Sequence, residues 1–283
     1  MSARILGIYR EPEFSPGKVE ADAAILDAAL DNLRERGDET AALRTSDLLE
    51  RDLGSCDLML AMCQSERALE ALTALENRGA MVVNSPRSIR ACYRDRLGEA
   101  LLRARLPTPA GKLVSTSQSF DPNSLGFDCA AGIFIKRGDL HALSADDVLK
   151  VDRVERISSE LARFAARGIA SAYVQQAVEG TTIKFYGVSG GEYFAPVSDD
   201  VPLGDAMKTA LCDAANRAAL ALGLEIWGGD AIVNGSGFAI IDFNDWPSFS
   251  RVRDRAAHAI ANRCAELLSL RRLEKQESKG VSS

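Results

Sequence analysis

Over its first eighty residues the chain alternates short apolar runs with amphipathic stretches. Arg4–Tyr9 (RILGIY) reads as a buried strand. From Glu20 to Arg36 the apolar positions Ala24, Ile25, Ala28, Ala29 and Leu33 recur at helical spacing, and Gly37 follows as a C-cap. Glu39–Arg44 and Leu58–Cys63 read as strands. Glu66–Arg78 reads as a helix closed by Gly79, and Ala80–Val83 as a fourth strand. Strands separated by helices predict a small parallel α/β unit over 1–84, with right-handed crossovers.

Beyond residue 84 the pattern changes. Ser85 and Pro86 suit the cap and first turn of a helix ending near Cys92. A second helix spans Arg94–Ala104 until Leu106-Pro107-Thr108-Pro109 breaks it. Strands are predicted at Lys112–Ser115, Gly132–Lys136, Ala172–Val178, Thr182–Val188 and Glu192–Val197, with helices at Ala145–Lys150 and Ser158–Ala166. Asp205–Leu222 is an amphipathic helix capped by Gly223. Two strands joined by a Gly-rich turn then occupy 223–250, and Arg255–Leu270 is a last helix. The polar segment 271–283 reads as a flexible tail.

Composition narrows the function classes. The chain has 283 residues, 46% of them hydrophobic and 26% charged, as in ordinary globular proteins. Its net charge of −6 argues against non-specific binding of nucleic acid or anionic membrane, while leaving room for a local basic pocket. Six scattered cysteines without a C-x-x-C pair, beside two histidines, argue against zinc. No leader-like or bilayer-length apolar run is evident, so the expected compartment is the cytoplasm.

The candidate chemistry gathers near the C-terminal end. Asp230 lies on one strand of the 223–250 pair and Asp242 on the other, with Asn244 two residues on and so on the same strand face as Asp242. Three hard oxygen donors suit Mg²⁺ or Mn²⁺; the plainer alternative is hydrogen bonding at strand ends. Lys136 ends the apolar strand GIFIK and can reach a phosphate or simply water. In TIKFYGV, Lys184 and Tyr186 share one face, which fits either a polar cleft or a solvated sheet. Arg251 follows closely and can neutralise an anion or begin the last helix. His141 stands alone and is not taken as a base. SPGK at Ser15–Lys18 lacks the upstream glycine and the Ser/Thr of a phosphate loop, and no G-x-G-x-x-G occurs.

Taken in order, NSPRSIRACYRDRLGEALLRARLPTPAGKLVS, GIFIK, YVQQAVEGTTIKFYGV, GGDAIV and IIDFNDWPSFS resemble an ATP-grasp protein across about 84–255. The likeness is greatest to ribosomal-protein glutamylating ligases and glutathione synthetase-like enzymes, in a branch that also holds inositol polyphosphate kinases. The resemblance implies an α/β fold, α+β in its C-terminal part: an ATP-grasp region at 85–270 behind the small parallel unit. Within it a nucleotide-clasping subdomain covers about 107–178 and a metal-binding subdomain about 179–270. It implies that ATP phosphates meet Lys136 and Arg96, the latter standing where the family commonly has lysine. The adenine would meet the segment Gln175, Gln176, Ala177, Val178 and Glu179, and Lys184 would face the γ-phosphate or acyl phosphate. Asp230, Asp242 and Asn244 would hold Mg²⁺, Asp242 replacing the commoner glutamate. The family's ribose-binding acid and several flap glycines are absent. The activity implied is an ATP-dependent, ADP-forming ligation of a small carboxylate or amino-acid-like substrate to an amine or thiol, through an acyl phosphate. Lys184 and Arg251 are the catalytic candidates, and a homo-oligomer is expected. A small-molecule kinase and a non-catalytic nucleotide-binding protein are the alternatives.

Overall fold

A computed structural model describes residues 2–280 except His141, 191–192, 199–201 and Ser236. His141 therefore lies outside the described residues, as does the first residue of the strand expected at Glu192–Val197. The described residues build three four-stranded sheets.

The first sheet is parallel. It is formed by β1 (Arg4–Ile8), β2 (Glu39–Leu43), β3 (Leu58–Ala61) and β4 (Val82–Val83), in the order β2-β1-β3-β4. The alternation of a strand divides its side chains between two cores. Ile5, Leu58 and Leu60 face α1 (Val19–Glu35), whereas Leu6, Ile8, Met59 and Ala61 face α2 (Thr45–Glu50) and α3 (Glu66–Asn77). The sequence pattern does not announce α2, a six-residue helix. Its local signal is Asp47, whose carboxylate accepts from the backbone N–H of Arg44 at 3.1 Å.

Two helices follow, α4 (Pro86–Ala91) and α5 (Arg94–Arg103). The Ser85 hydroxyl caps α4 by accepting from the Ser88 N–H at 3.1 Å, which is why the helix starts there. The second sheet is antiparallel, in the order β5-β8-β6-β7. Its strands are β5 (Gly111–Ser115), β6 (Ile133–Arg137), β7 (Val148–Val151) and β8 (Ser171–Gln176). Its apolar face packs on α6 (Ile157–Ala166). The helix expected at Ala145–Lys150 is not formed. A single 3₁₀ turn at Ala145–Asp147 leads into β7, where β-branched Val148 and Val151 pair with β6.

The third sheet, also antiparallel, has the order β10-β9-β11-β12: β9 (Thr181–Val188), β10 (Tyr193–Val197), β11 (Ile226–Asn234) and β12 (Gly237–Asp245). One face, carrying Ile183, Phe185, Trp227 and Phe243, packs on α5 and α7 (Asp205–Leu222). The other face, with Tyr186 and Val188, joins the core of the first sheet. The last helix, α8 (Arg253–Gly280), lies across α1. It continues ten residues past the end expected at Leu270, so 271–280 of the expected flexible tail is helical. Arg271 secures it, donating to the carbonyls of Asp57 and Gly79.

Candidate active site

Register between strands sets the centre of the site. Lys184 on β9 is the cross-strand partner of Asp230 on β11, and Asp230 is the partner of Asp242 on β12. The three side chains form one row across three strands, and a register shift follows immediately at Asp230/Ala231. Gly229 makes the close approach possible: a Cβ there would sit 2.4 Å from the Asp242 carbonyl oxygen and 2.5 Å from the Phe185 ring. Lys184 Nζ donates to Asp230 Oδ1 at 2.9 Å. Burial works to lower the Lys184 pKa, but the hydrogen bond and charge of Asp230 outweigh it and raise it.

Asp242 is held from another direction. Arg94, at the start of α5, donates from Nη2 to Asp242 Oδ2 at 3.0 Å, with side chains only 5% and 17% exposed. Arg94 Nε and Nη1 are buried without a hydrogen-bond partner among the described residues. Such buried, unmatched donors are costly and point to a missing acceptor. Lys136, 6% exposed, donates to the Ile241 carbonyl at 2.9 Å. Desolvation lowers its pKa from 10.5 to about 8, against the opposing pull of Asp242.

This row floors a cavity of about 590 Å³ whose other wall belongs to the first unit: Arg10, Ser15, Lys18 and Asp22. Asn244 and Arg251 also line it. A buried polar network joins the walls. Gln64 Nε2 donates to both oxygens of Asp245 at 3.0 and 2.9 Å, and Arg10 lies 3.9 Å from the same carboxylate and 3.2 Å from Asp22. Glu11 accepts from the backbone N–H of Gln64 at 2.9 Å. These contacts cross up to 235 residues of sequence, so no local pattern could have announced Arg10, Gln64 or Asp245.

The structure thus brings together Lys136, Lys184, Asp230, Asp242, Asn244 and Arg251. Arg96 is not among them: its side chain is 57% exposed and lies 4.0 Å from neighbouring Asp95. Two residues along a helix turn the side chain by about 200°, so burying Arg94 sends Arg96 outward. Arg94, not Arg96, is the arginine that reaches Asp242. In the segment 175–179, Gln175 and Ala177 are buried, Gln176 and Val178 are half-buried, and Glu179 is exposed. The strand stops at Gln176, two residues short of the expected end. Gln175 shares a small cleft with Arg94, Lys136, Thr108 and Asp242 that encloses only about 10 Å³. The Tyr173 ring fills the adjoining space.

The donor set fits a hard divalent cation. Two carboxylates on adjacent strands and one amide oxygen leave coordination positions for water and phosphate, as Mg²⁺ prefers. Among the described residues no group of three or more His, Cys, Asp or Glu forms a metal site, so a cation here would depend on Asn244 and on its substrate for further ligands.

No family model matches the chain, and no curated protein matches it in sequence. Solved structures do match. A D-alanine–D-alanine ligase from Bacillus anthracis complexed with ATP superposes with a TM-score of 0.72 at 14% identity, covering 96% of this chain and 99% of that one. Another structure of the Bacillus anthracis ligase gives 0.70 at 13%, covering 97% and 100%. The D-alanyl-alanine synthetase A of Vibrio cholerae gives 0.67 at 12%, covering 89% and 91%. The chain has the ATP-grasp fold. A small parallel α/β unit precedes it, as the order of motifs led one to expect. Among the described residues no helix is long and apolar enough to cross a membrane.

Proposed function

We propose that the protein is an ATP-dependent, ADP-forming carboxylate–amine or carboxylate–thiol ligase of the ATP-grasp type. The observation that carries the reading is the cross-strand row Lys184–Asp230–Asp242, flanked by Arg94 and Lys136, facing a cavity of about 590 Å³. The whole-chain superposition on ligases, one of them complexed with ATP, supports it. The finer likeness to glutamylating and glutathione synthetase-like enzymes rests on the order of the five sequence segments.

In this reading Asp230, Asp242 and Asn244 hold Mg²⁺ or Mn²⁺, which would offset phosphate charge when bound. Lys136 and Arg94 meet phosphate oxygens; Arg94 brings donors that lack a partner among the described residues. The substrate carboxylate, steered by Arg251 and Lys18, takes the terminal phosphoryl group of ATP. An amine or thiol then displaces phosphate from the acyl phosphate. Lys184 faces the charge that develops on the transferred group. Catalysis by positioned charge needs no strong base, consistent with a site built of cations and carboxylates.

The test combines binding and turnover. Mg-ATP titrated calorimetrically should bind the wild type, and pooled amino acids including D-alanine should give ADP, phosphate and a condensed product by mass spectrometry. Asp242→Ala should lose turnover by at least a hundredfold while keeping the wild-type circular dichroism spectrum. Wild-type turnover in that variant would remove the metal assignment.

One observation favours a second reading. The cleft beside Lys136 and Gln175 holds about 10 Å³, and both metal-facing carboxylates are already engaged by Lys184 and Arg94. A protein that keeps the fold and binds a small molecule without turnover would look the same. No heat of binding with Mg-ATP, together with ligand binding in the larger cavity, would select it.

A further inference from the structure

A second cavity, of about 920 Å³, opens at the opposite end of the first sheet. The strands β1 and β3 are parallel, so their two ends face opposite sides of the molecule. Arg10 and Gln64, just beyond their C-terminal ends, belong to the candidate active site. Arg4 and Asp57, at their N-terminal ends, belong to this other cavity. Its remaining walls come from the loop 51–57, the end of α3 and the far end of α8.

Charge is unevenly distributed here. Arg4, Arg51, Arg78, Arg271 and Lys275 line the cavity against only Asp52 and Asp57, in a chain whose net charge is −6. Both aspartates are occupied by backbone: Asp57 accepts from the Arg4 N–H at 2.9 Å and Asp52 from the Gly54 N–H at 3.0 Å. Arg4 and Arg271 are structural, donating to the carbonyls of Leu53, Ser55, Asp57 and Gly79. The Arg78 guanidinium has no hydrogen bond or ion pair with any other described residue. Behind these cations lies an apolar wall of Leu48, Leu53, Met59 and Leu75. A concave apolar wall with converging polar groups of one sign is the general form of a small-ligand site.

We infer that this cavity binds an amphiphilic anion, a small apolar body carrying a phosphate, sulfonate or carboxylate group. The body lies against Leu48, Leu53, Met59 and Leu75, and the anionic head meets Arg78 and Arg51. The site is independent of the nucleotide reading, since it shares no residue with the cavity that holds Asp230 and Asp242.

The probe is 2-naphthyl phosphate, titrated against the full chain by calorimetry, with 2-naphthol as the uncharged control. Binding should be at least tenfold tighter for the phosphate than for the naphthol. Arg78→Glu should weaken it at least tenfold, and Arg51→Glu should weaken it less, because Arg51 is shared with Asp47. Both side chains are exposed, so both variants should keep the wild-type melting profile. Binding should be unchanged in Lys184→Ala. Absence of binding, equal affinity for the two probes, or indifference to both charge reversals would overturn the proposal. So would loss of binding in Lys184→Ala, which would put the probe in the other cavity.

Discussion

Lys136 is the residue at which folding and chemistry conflict most directly. Burial holds its pKa at about 8, against 10.5 for a free lysine, which corresponds to about 3 kcal/mol against the ammonium form. The unfolded chain binds the proton more tightly. The cost is therefore complete below pH 8 and is relieved as pH rises from about 8 towards 10.5. A phosphate placed against Lys136 would reverse that preference. Mg-ATP binding near pH 8 should thus take up about half a proton, because half of the lysines are neutral there beforehand. Calorimetry in buffers of different ionisation enthalpy measures this uptake, and Lys136→Met should abolish it. Zero uptake by the wild type would mean that no phosphate meets a half-neutral Lys136. The same variant should gain about 1 kcal/mol of stability at pH 7, the saving being reduced by the unpartnered Ile241 carbonyl. Arg94 behaves oppositely. Arg94→Met breaks the buried Arg94–Asp242 pair and should cost about 3 kcal/mol in urea unfolding.

At the scale of elements, α5 and the second sheet meet through glycine. A Cβ on Gly98 would lie 2.4 Å from the Tyr173 hydroxyl, and one on Gly111 would meet the same ring at the same distance. Tyr173 is wedged between a helix and a strand that only glycine allows to approach. Alanine at Gly98 would improve helix propensity by about 1 kcal/mol. The collision should nonetheless make Gly98→Ala destabilising by about 1–3 kcal/mol. Combined with Tyr173→Ala the penalty should vanish, and a double-mutant cycle by thermal melting would show this. Additive losses would mean the contact is not the cause. The period-2 and period-3.6 patterns of β1, β3, α1, α3 and α7 were legible in the sequence because each element buries a continuous face. The row Lys184–Asp230–Asp242 was half legible: alternation gave the face of each residue, but the register between β9 and β11 did not follow from it. The resemblance points to Arg96 through the pair Asp95-Arg96, and a pattern with arginines at 94 and 96 does not show that Arg94 is the one that turns inward. The expectation of a helix over Ala145–Lys150 fails because Val148–Val151 is too short to show a period of two, and only its pairing with β6 makes it a strand.

The whole molecule is less divisible than its sequence suggests. The boundary at residue 84 falls where the alternation of strands and helices changes, yet Asn84 is fully buried and bound to the third sheet. Its side chain accepts from the N–H groups of Glu225 and Ile226 at 2.8 and 3.1 Å and donates to the Ile226 carbonyl at 2.7 Å. More important is α8. The face of α1 that carries Ile25, Ala29 and Leu33 belongs to one core with Ala256, Ala257, Ile260, Ala261, Cys264 and Leu268. Those partners arrive from the other end of the chain. Without α8 the first sheet keeps helices on both faces, but α1 exposes part of its apolar stripe to water. Each large aliphatic side chain left uncovered forfeits about 1.5–3 kcal/mol, and several are lost together, against a net stability of about 5–15 kcal/mol for a whole domain. Residues 1–84 expressed alone should therefore show no cooperative thermal transition by circular dichroism, although the full chain melts cooperatively. A fragment that melted sharply would mean that the first unit is autonomous and that α8 is a strap laid over a finished core. The expected result would instead make the first unit and α8 one folding unit. The wall of the candidate active site that carries Arg10 and Lys18 would then form only once the C-terminal helix is in place.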